Sequence, residues 1–259
     1  MEKEIAEADS RVSAEERERL QSETLKIVFS LYFRILKETT DDALLSVTLD
    51  GIAKFAGLIN ADFFGDLLEV LREVLERWDD NKSTRGGHNK RLREELVCLN
   101  TAFTLLANQG GSDIDLSFFV NRFYELLPDL SLSTKLSIKP TTEERSLMEL
   151  AIRIVDAILF APPTPPSPSR VVIFYKRLLT CSLQMEEKEL ATFLKILHKI
   201  GVRFEKRIEG MWDYESGGIR DAATGKEVRA WELALLEKYY CSHIIEMSKS
   251  LGNSKSKTS

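Results

Sequence analysis

The sequence predicts an all-α protein, an α-solenoid of antiparallel helix pairs of the HEAT or armadillo sort. Three observations predict it. Apolar residues recur every three to four positions in almost every segment, which is the spacing of one helix face. No segment sustains the period-two alternation of a half-buried strand, so no sheet is expected. The first three amphipathic segments are joined by about two residues each, and links that short force neighbouring helices to run antiparallel.

The pattern places about nine helices. The first covers 14–38, where Ser13 and Glu16 have capping-box spacing. The second covers 41–58, capped by Thr40, with Asp41 and Asp42 favouring its positive end. The third covers 61–78. There Phe64, Leu67, Leu68, Leu71, Val74, Leu75 and Trp78 line one face, Arg72 and Glu76 pair on the other, and Asn60 is the cap. The fourth and fifth cover 90–108 and 116–127, the fifth capped by Asp115 and ended by Pro128. The sixth and seventh cover 142–160 and 170–183. Between them the proline-rich run 161–169 reads as a stiff connection, the alternative being a polyproline-II ligand or a proline-directed phosphosite at Thr164 or Ser167, and Ser169 caps the seventh. The last two cover 186–207 and 226–248. The domain reading is an acidic flexible leader over 1–13, a helical-repeat domain over 14–248 and a disordered tail over 249–259, a lysine–serine run unable to form a core.

Composition excludes several classes. A chain of 259 residues with 43% hydrophobic and 30% charged residues can bury a core without metals or disulfides. Seven prolines and thirteen glycines are too few for a turn-rich β-sandwich. Cys98, Cys181 and Cys241 are odd in number and lie inside apolar patterns, so they read as small buried hydrophobes in a reducing compartment. No apolar run reaches the ~18–20 residues of a membrane helix, and Met1–Ile5 does not open a signal peptide. A net charge of −5 argues against a whole molecule built to grip phosphates.

Catalytic patterns are missing. Arg85-Gly-Gly-His has neither the preceding strand nor the following Gly-Lys of a phosphate loop. His88, His198 and His243 are scattered, with no zinc-ligand spacing. No catalytic, cofactor-binding or metal-binding residue is assigned, and the chain reads as a binding protein rather than an enzyme.

Two clusters are candidate partner surfaces. Lys82, Arg85, His88, Lys90, Arg91 and Arg93 gather before and within the first turn of the fourth helix. Cations there oppose the helix dipole, so helix stability does not explain them, and an anionic partner does. Against this stands an ordinary solvated loop. A second group, His198, Lys199, Arg203, Lys206 and Arg207, ends the eighth helix, where the dipole favours positive charge. In the last helix Trp231, Leu235, Tyr239 and Tyr240 share a face and form a candidate protein interface. The competing reading is that the 208–225 loop, with Met211, Trp212 and Tyr214, folds over that face.

Several stretches together carry a resemblance. They are Tyr32-Phe-Arg-Ile-Leu-Lys, the run Leu49-Asp-Gly-Ile-Ala-Lys-Phe to Leu68, Leu99-Asn-Thr-Ala-Phe-Thr-Leu-Leu, Asp115-Leu-Ser-Phe-Phe to Pro128, Phe174-Tyr-Lys-Arg-Leu-Leu-Thr-Cys-Ser-Leu and Trp231-Glu-Leu-Ala-Leu-Leu. In this order, from about Lys26 to Ile244, the chain resembles the C-terminal half of the nucleolar complex protein three family, which carries the CCAAT-binding factor domain. The resemblance implies a non-catalytic helical-repeat scaffold in nucleolar assembly of the large ribosomal subunit. Its implied partners are a second nucleolar complex protein and the pre-60S particle. An rRNA contact through the basic patch is a further expectation, and no membrane or cofactor is implied. The domain's older name implies an alternative, a DNA-binding or replication-licensing factor; acidic charge and no evident basic helix stripe argue against it. Departures are present. The family's long basic N-terminal half is missing, which suggests a C-terminal fragment or a reduced product. Leu236-Glu-Lys-Tyr-Tyr lacks the family's histidine, Gly57 stands where a histidine is expected, and Lys90-Arg91-Leu-Arg93 is a weak import signal.

Overall fold

The computed structural model describes residues 2–39, 41–58, 64–80, 88–108, 115–139, 145–161, 165–208, 211, 219–220 and 227–252. The helices are α1 (Glu2–Glu38), α2 (Asp42–Phe55), α3 (Phe64–Asp80), α4 (His88–Asn108), α5 (Ser117–Ser131), α6 (Leu147–Leu159), α7 (Pro168–Ser182), α8 (Glu187–Arg203), α9 (Glu205–Ile208), α10 (Glu232–Leu236) and α11 (Ser242–Gly252). A 3₁₀ turn, Ala56–Leu58, follows α2.

The pairs stack in two layers. In one, α2, α4, α6, α8 and α11 pack in succession. In the other, α1 packs on α3, α5 on α7, and α7 on α10. Each pair also closes on itself, as α1 does with α2 and α7 with α8. This is the all-α helical-repeat architecture that the sequence predicts. One departure from the expectation of no sheet is a two-residue antiparallel ladder, Ile219–Arg220 against Glu227–Val228.

One core runs between the layers. Leu36, Leu49, Ile52, Leu71, Leu75, Leu96, Leu99, Phe123, Tyr175, Phe193 and Ile200 are fully buried along its length. Thr101 ties α4 to α2 by donating its hydroxyl to the Leu49 carbonyl at 3.3 Å. Arg77 on α3 donates to the Lys37 carbonyl at 3.0 Å and to that of Leu36, capping orphan carbonyls at the end of α1. Trp78 is buried, as its stripe predicts.

Helix ends differ from the sequence expectation, each for a physical reason. α1 starts at Glu2 rather than Ala14, so Ser13 lies inside the helix rather than at its start, and residues 2–13, expected to be a flexible leader, are helical. Ala, Glu, Lys and Arg, which dominate that stretch, are strong helix formers. α5 runs through Pro128 to Ser131. A proline in a last turn forfeits one bond, and burial of Leu130 offsets it. α6 starts late, at Leu147, on a full capping box in which Ser146 and Glu149 exchange bonds at 3.2 Å. The Ser-x-x-Glu spacing was available in the sequence. α7 is capped by Ser167 rather than Ser169, with Pro168 in its first turn. The N-cap of α5 is Leu116, without a side-chain cap, rather than the expected Asp115; Asp115, one residue earlier, accepts the Ser117 amide at 2.9 Å. Asn60 and Thr40 lie outside the described residues.

The expected eighth helix breaks at Phe204, after the poor helix former Gly201, and α9 turns so that Ile208 is buried beside it. The expected ninth helix is two. α10 ends in 3₁₀-type bonds from Lys238 to Leu235 and Tyr239 to Leu236, and α11 folds back so that Ser248 donates to the Leu233 carbonyl at 3.2 Å. Breaking the helix lets Leu233 and Leu236 on one side, and Ile244 and Leu251 on the other, reach the same core. Helix therefore continues to Gly252, into the stretch expected to be a disordered tail, because Leu251 extends the buried stripe; residues 253–259 lie outside the described residues.

Cys98 and Cys181 are buried and Cys241 is half-buried, all unpaired. Burial pushes the Cys181 thiol up to about 11 and the Cys98 thiol higher still. Native protein should therefore show one thiol reacting with a disulfide-exchange reagent, Cys241, and three only after unfolding; rapid native labelling of Cys98 would contradict the packing. Trp78→Ala should cost about 3–5 kcal/mol in denaturant melts, as other core aromatic truncations do. A loss under ~1 kcal/mol would mean that Trp78 carries no core load.

Candidate interaction surfaces

The basic cluster before α4 divides in two. Lys82 and Arg85 lie outside the described residues, while His88 and Lys90 belong to the first turn of α4. Arg91 and Arg93 are committed within the fold. Arg91 pairs with Glu95 at 2.7 Å, and Arg93 donates to the Arg145 carbonyl at 2.8 Å.

Glu95 is the centre of that local chemistry. Its side chain is 1% exposed on α4, and Arg122 of α5, itself buried, meets it at 2.7 and 3.0 Å. Arg122 also reaches the exposed Glu125 at 3.7 Å. A buried carboxylate flanked by two guanidiniums costs less than one left alone, and the pairing fixes the α4–α5 register. A serine at Arg91, harmless in a solvated loop, would remove one of the two guanidiniums beside this carboxylate and leave Arg122 as its partner.

A second buried carboxylate holds the C-terminal pair. Glu232 is fully buried on α10 and accepts from Lys176 and Thr180 of α7, both at 2.7 Å. Lys176 lies 4.8 Å from the centre of the Trp231 ring. The outer side of this pair carries the predicted cluster. Trp231 is 47% exposed, Leu235 52% and Tyr240 78%, while Tyr239 is half-buried and stacks 4.4 Å from Tyr240. They do not share one helix face, because the chain turns after Leu236; Tyr240 is instead held by its hydroxyl donating to Glu187 at 3.0 Å. Met211, from the loop expected to cover this face, is buried and accepts from the Ala230 amide at 3.0 Å. Trp212 and Tyr214 lie outside the described residues.

The larger apolar surface was not singled out from the sequence. Leu20, Ile27 and Leu31 recur at i, i+7 and i+11 on α1, all exposed. Leu44, Val47 and Phe55 on α2 and Leu58 beside it are exposed as well. Leu20, Leu25 and Leu58 line a cleft of about 690 Å³ between the two elements. From Glu16 to Thr24 every residue of α1 is exposed, so this part of the helix stands off the core. The cue was present: α1 is apolar on a flank that no later helix follows.

Among the described residues, no group of three or more His, Cys, Asp or Glu could hold a metal ion, and no helix is long and apolar enough to cross a membrane.

Residues 95–226 match the model of the CBF/Mak21 family. The chain belongs to the CBF/Mak21 family. Its relatives include nucleolar complex-associated protein 3 of Saccharomyces cerevisiae, 33% identical over 92% of this chain and 39% of the relative. The nucleolar complex protein 3 homolog of Homo sapiens is 32% identical over 93% of this chain and 29% of the relative. The chain thus spans well under half the length of these relatives. The stretches that carry the family resemblance are mostly packing residues. Leu49, Ile52, Leu99, Ala102, Phe123, Phe174 and Leu233 are core, and a Cβ added at Gly51 would come 2.7 Å from the Tyr32 hydroxyl. A Cβ at Gly57 would meet nothing within 4 Å, so the family histidine could project there without clash. In this CBF/Mak21 chain the recognisable motifs are mostly core, and Trp231 and Leu235 are the exposed large side chains of the last of them.

The Glu95 pairing sets a specific expectation. Arg122→Ala should destabilise by about 3–5 kcal/mol, because it leaves a buried charge, whereas Glu95→Leu with Arg122→Met should cost far less. Equal losses from the single and double variants would show that the ion pair is not the source of the effect.

Proposed function

We propose that this chain is a non-catalytic scaffold in nucleolar assembly of the large ribosomal subunit, and that it docks a second nucleolar complex protein. The carrying observation is an exposed apolar flank, α1 with α2, at one end of the described helical stack in a CBF/Mak21 member whose relatives are named nucleolar complex proteins. Large aliphatic side chains left exposed together on adjacent helices are suited to cover by a further helix. The Trp231–Leu235–Tyr240 surface at the other end is a smaller second site of the same kind. The name shared by the relatives supports residence in the nucleolus, and association with pre-60S particles is the finer form of the reading.

The test is recovery of a tagged chain with pre-60S particles and with the partner nucleolar complex protein. Ile27→Asp with Val47→Asp, two side chains each 71% exposed, should leave the helical circular dichroism intact and reduce recovery at least ~10-fold. Recovery equal to the parent would overturn the α1–α2 interface. Loss seen only with Trp231→Ser and Leu235→Ser would move the interface to the far end.

A further inference from the structure

We propose that α8 and the cleft at its C-terminal end bind single-stranded RNA. The proposal deepens the assembly reading, on which the choice of RNA over other nucleic acids rests. Lys188, Lys195, Lys199 and Arg203 recur at spacings of 7, 4 and 4 on α8, and all four are exposed. That places a cationic line about 22 Å long along one side of the helix. His198 adjoins it, and α8 carries no carboxylate after Glu189. The chain as a whole has net charge −5, so this is a local reversal of sign. The helix dipole accounts for Arg203 in the last turn, but its effect fades within one turn and does not reach Lys195. The stripe also corrects the sequence expectation that no helix presents a basic face.

The line ends in a cleft of about 590 Å³ whose lining includes Phe160, Pro165, Val202, Arg203, Phe204 and Lys206. Arg203 and Lys206 are exposed and make no hydrogen bond or ion pair among the described residues. Their neighbours are fixed. Lys199 pairs with Asp156 at 2.6 Å and lies 4.2 Å from the Phe160 ring centre. Arg207 donates to the Pro166 carbonyl at 2.7 Å and lies 5.3 Å from the Phe204 ring centre. The two rings are 5.8 Å apart and half-buried, and Val202 beside them is 65% exposed. Glu205 also lines the cleft and opposes an anion there, leaving Arg203, Lys206 and Arg207 in excess. An acidic peptide needs only the cations. A cationic track leading into an aromatic and aliphatic floor matches a phosphate backbone with a base laid on the rings.

The test is fluorescence anisotropy of the purified chain with a labelled oligouridylate of about 12 nucleotides, with salt varied. Affinity should fall as salt rises. Arg203→Ser with Lys206→Ser should weaken binding at least ~10-fold and flatten the log–log salt slope by about 1.4, roughly 0.7 for each single-strand phosphate no longer neutralised. Phe204→Leu keeps apolar volume and removes the ring, and should weaken binding ~5-fold or more without flattening the slope. Arg34→Ser, an exposed cation on α1, should change nothing. No binding by the parent at low salt, equal binding by the Arg203/Lys206 variant, or equal competition by polyglutamate or duplex DNA would each overturn the proposal. The assay uses no ribosomal particle and no α1 or α2 variant that bears on the docking flank, so its failure is separable from failure of the scaffold reading.

Discussion

An amphipathic helix pair packed on one neighbour still has an apolar flank turned toward water. Every interior pair in this chain resolves that by giving the flank to the next pair, and the whole fold follows from the hand-over. α4 is the clearest case. It meets α2 on one side and α6 on the other within its own layer, and also packs on α3 and α5. Its faces are correspondingly apolar almost all round, with Leu92, Leu96, Val97, Cys98, Leu99, Ala102, Phe103, Leu105 and Leu106 all buried. Two buried carboxylates in this interior are paired, Glu95 with Arg122 between the consecutive helices α4 and α5 and Glu232 with Lys176 between α10 and α7, which are distant in the chain. The hydrophobic hand-over thus supplies cohesion, and the buried pairs fix which helix sits against which.

The same constraint explains what the sequence made legible. A stripe that must meet a neighbour has period 3.6, so the existence of the long helices and their antiparallel succession could be read directly. The stops could not, because a stop depends on what the next residue can bury. Pro128 reads as a terminator, yet Leu130 beyond it has a place in the core and the helix continues. The Trp231-to-Tyr239 spacing reads as one face, yet the two apolar sets of α10 and α11 meet the core only if the chain turns between them. Periodicity reports which residues share a side of a helix. It does not report which of two apolar sides faces in, and here Leu233 and Leu236 took the core and left Trp231 and Leu235 outside.

Charge is less legible than packing for a related reason. Lys82 to Arg93 stands out because cations sit at a helix start, and the Lys199 to Arg207 cluster reads as ordinary because cations sit at a helix end. The dipole argument ranks helix stability, however, and says nothing of tertiary partners. Arg91 is drawn in by Glu95, its i+4 neighbour, which is itself buried by Arg122 from another helix. Arg203 and Lys206 make no ion pair among the described residues; the acidic residues of α8 all lie in its first turn, far from Arg203. Only the three-dimensional neighbourhood distinguishes a cation consumed by the fold from one left over.

Under the proposed scaffold reading, magnitudes decide how the chain would hold on to an assembly. Leu20, Ile27, Val47 and Leu58 are each more than half exposed, and covering one contributes on the order of 1–2 kcal/mol. Four such side chains give roughly 4–8 kcal/mol, which is no more than the ~4–15 kcal/mol lost in bringing two molecules together. The α1–α2 flank alone is therefore a weak handle. A cationic track on α8 is weak alone too, since salt competes with each phosphate contact. The α1–α2 flank and α8 are joined through α4 and α6, which pack in succession between α2 and α8, so the stack sets the spacing of the two surfaces. Once one is engaged, the second binds at the high local concentration of a tethered ligand rather than from solution. On the proposed reading, tight retention on a large particle would need no deep pocket and no single strong contact, only a stack that holds two weak surfaces at a constant spacing.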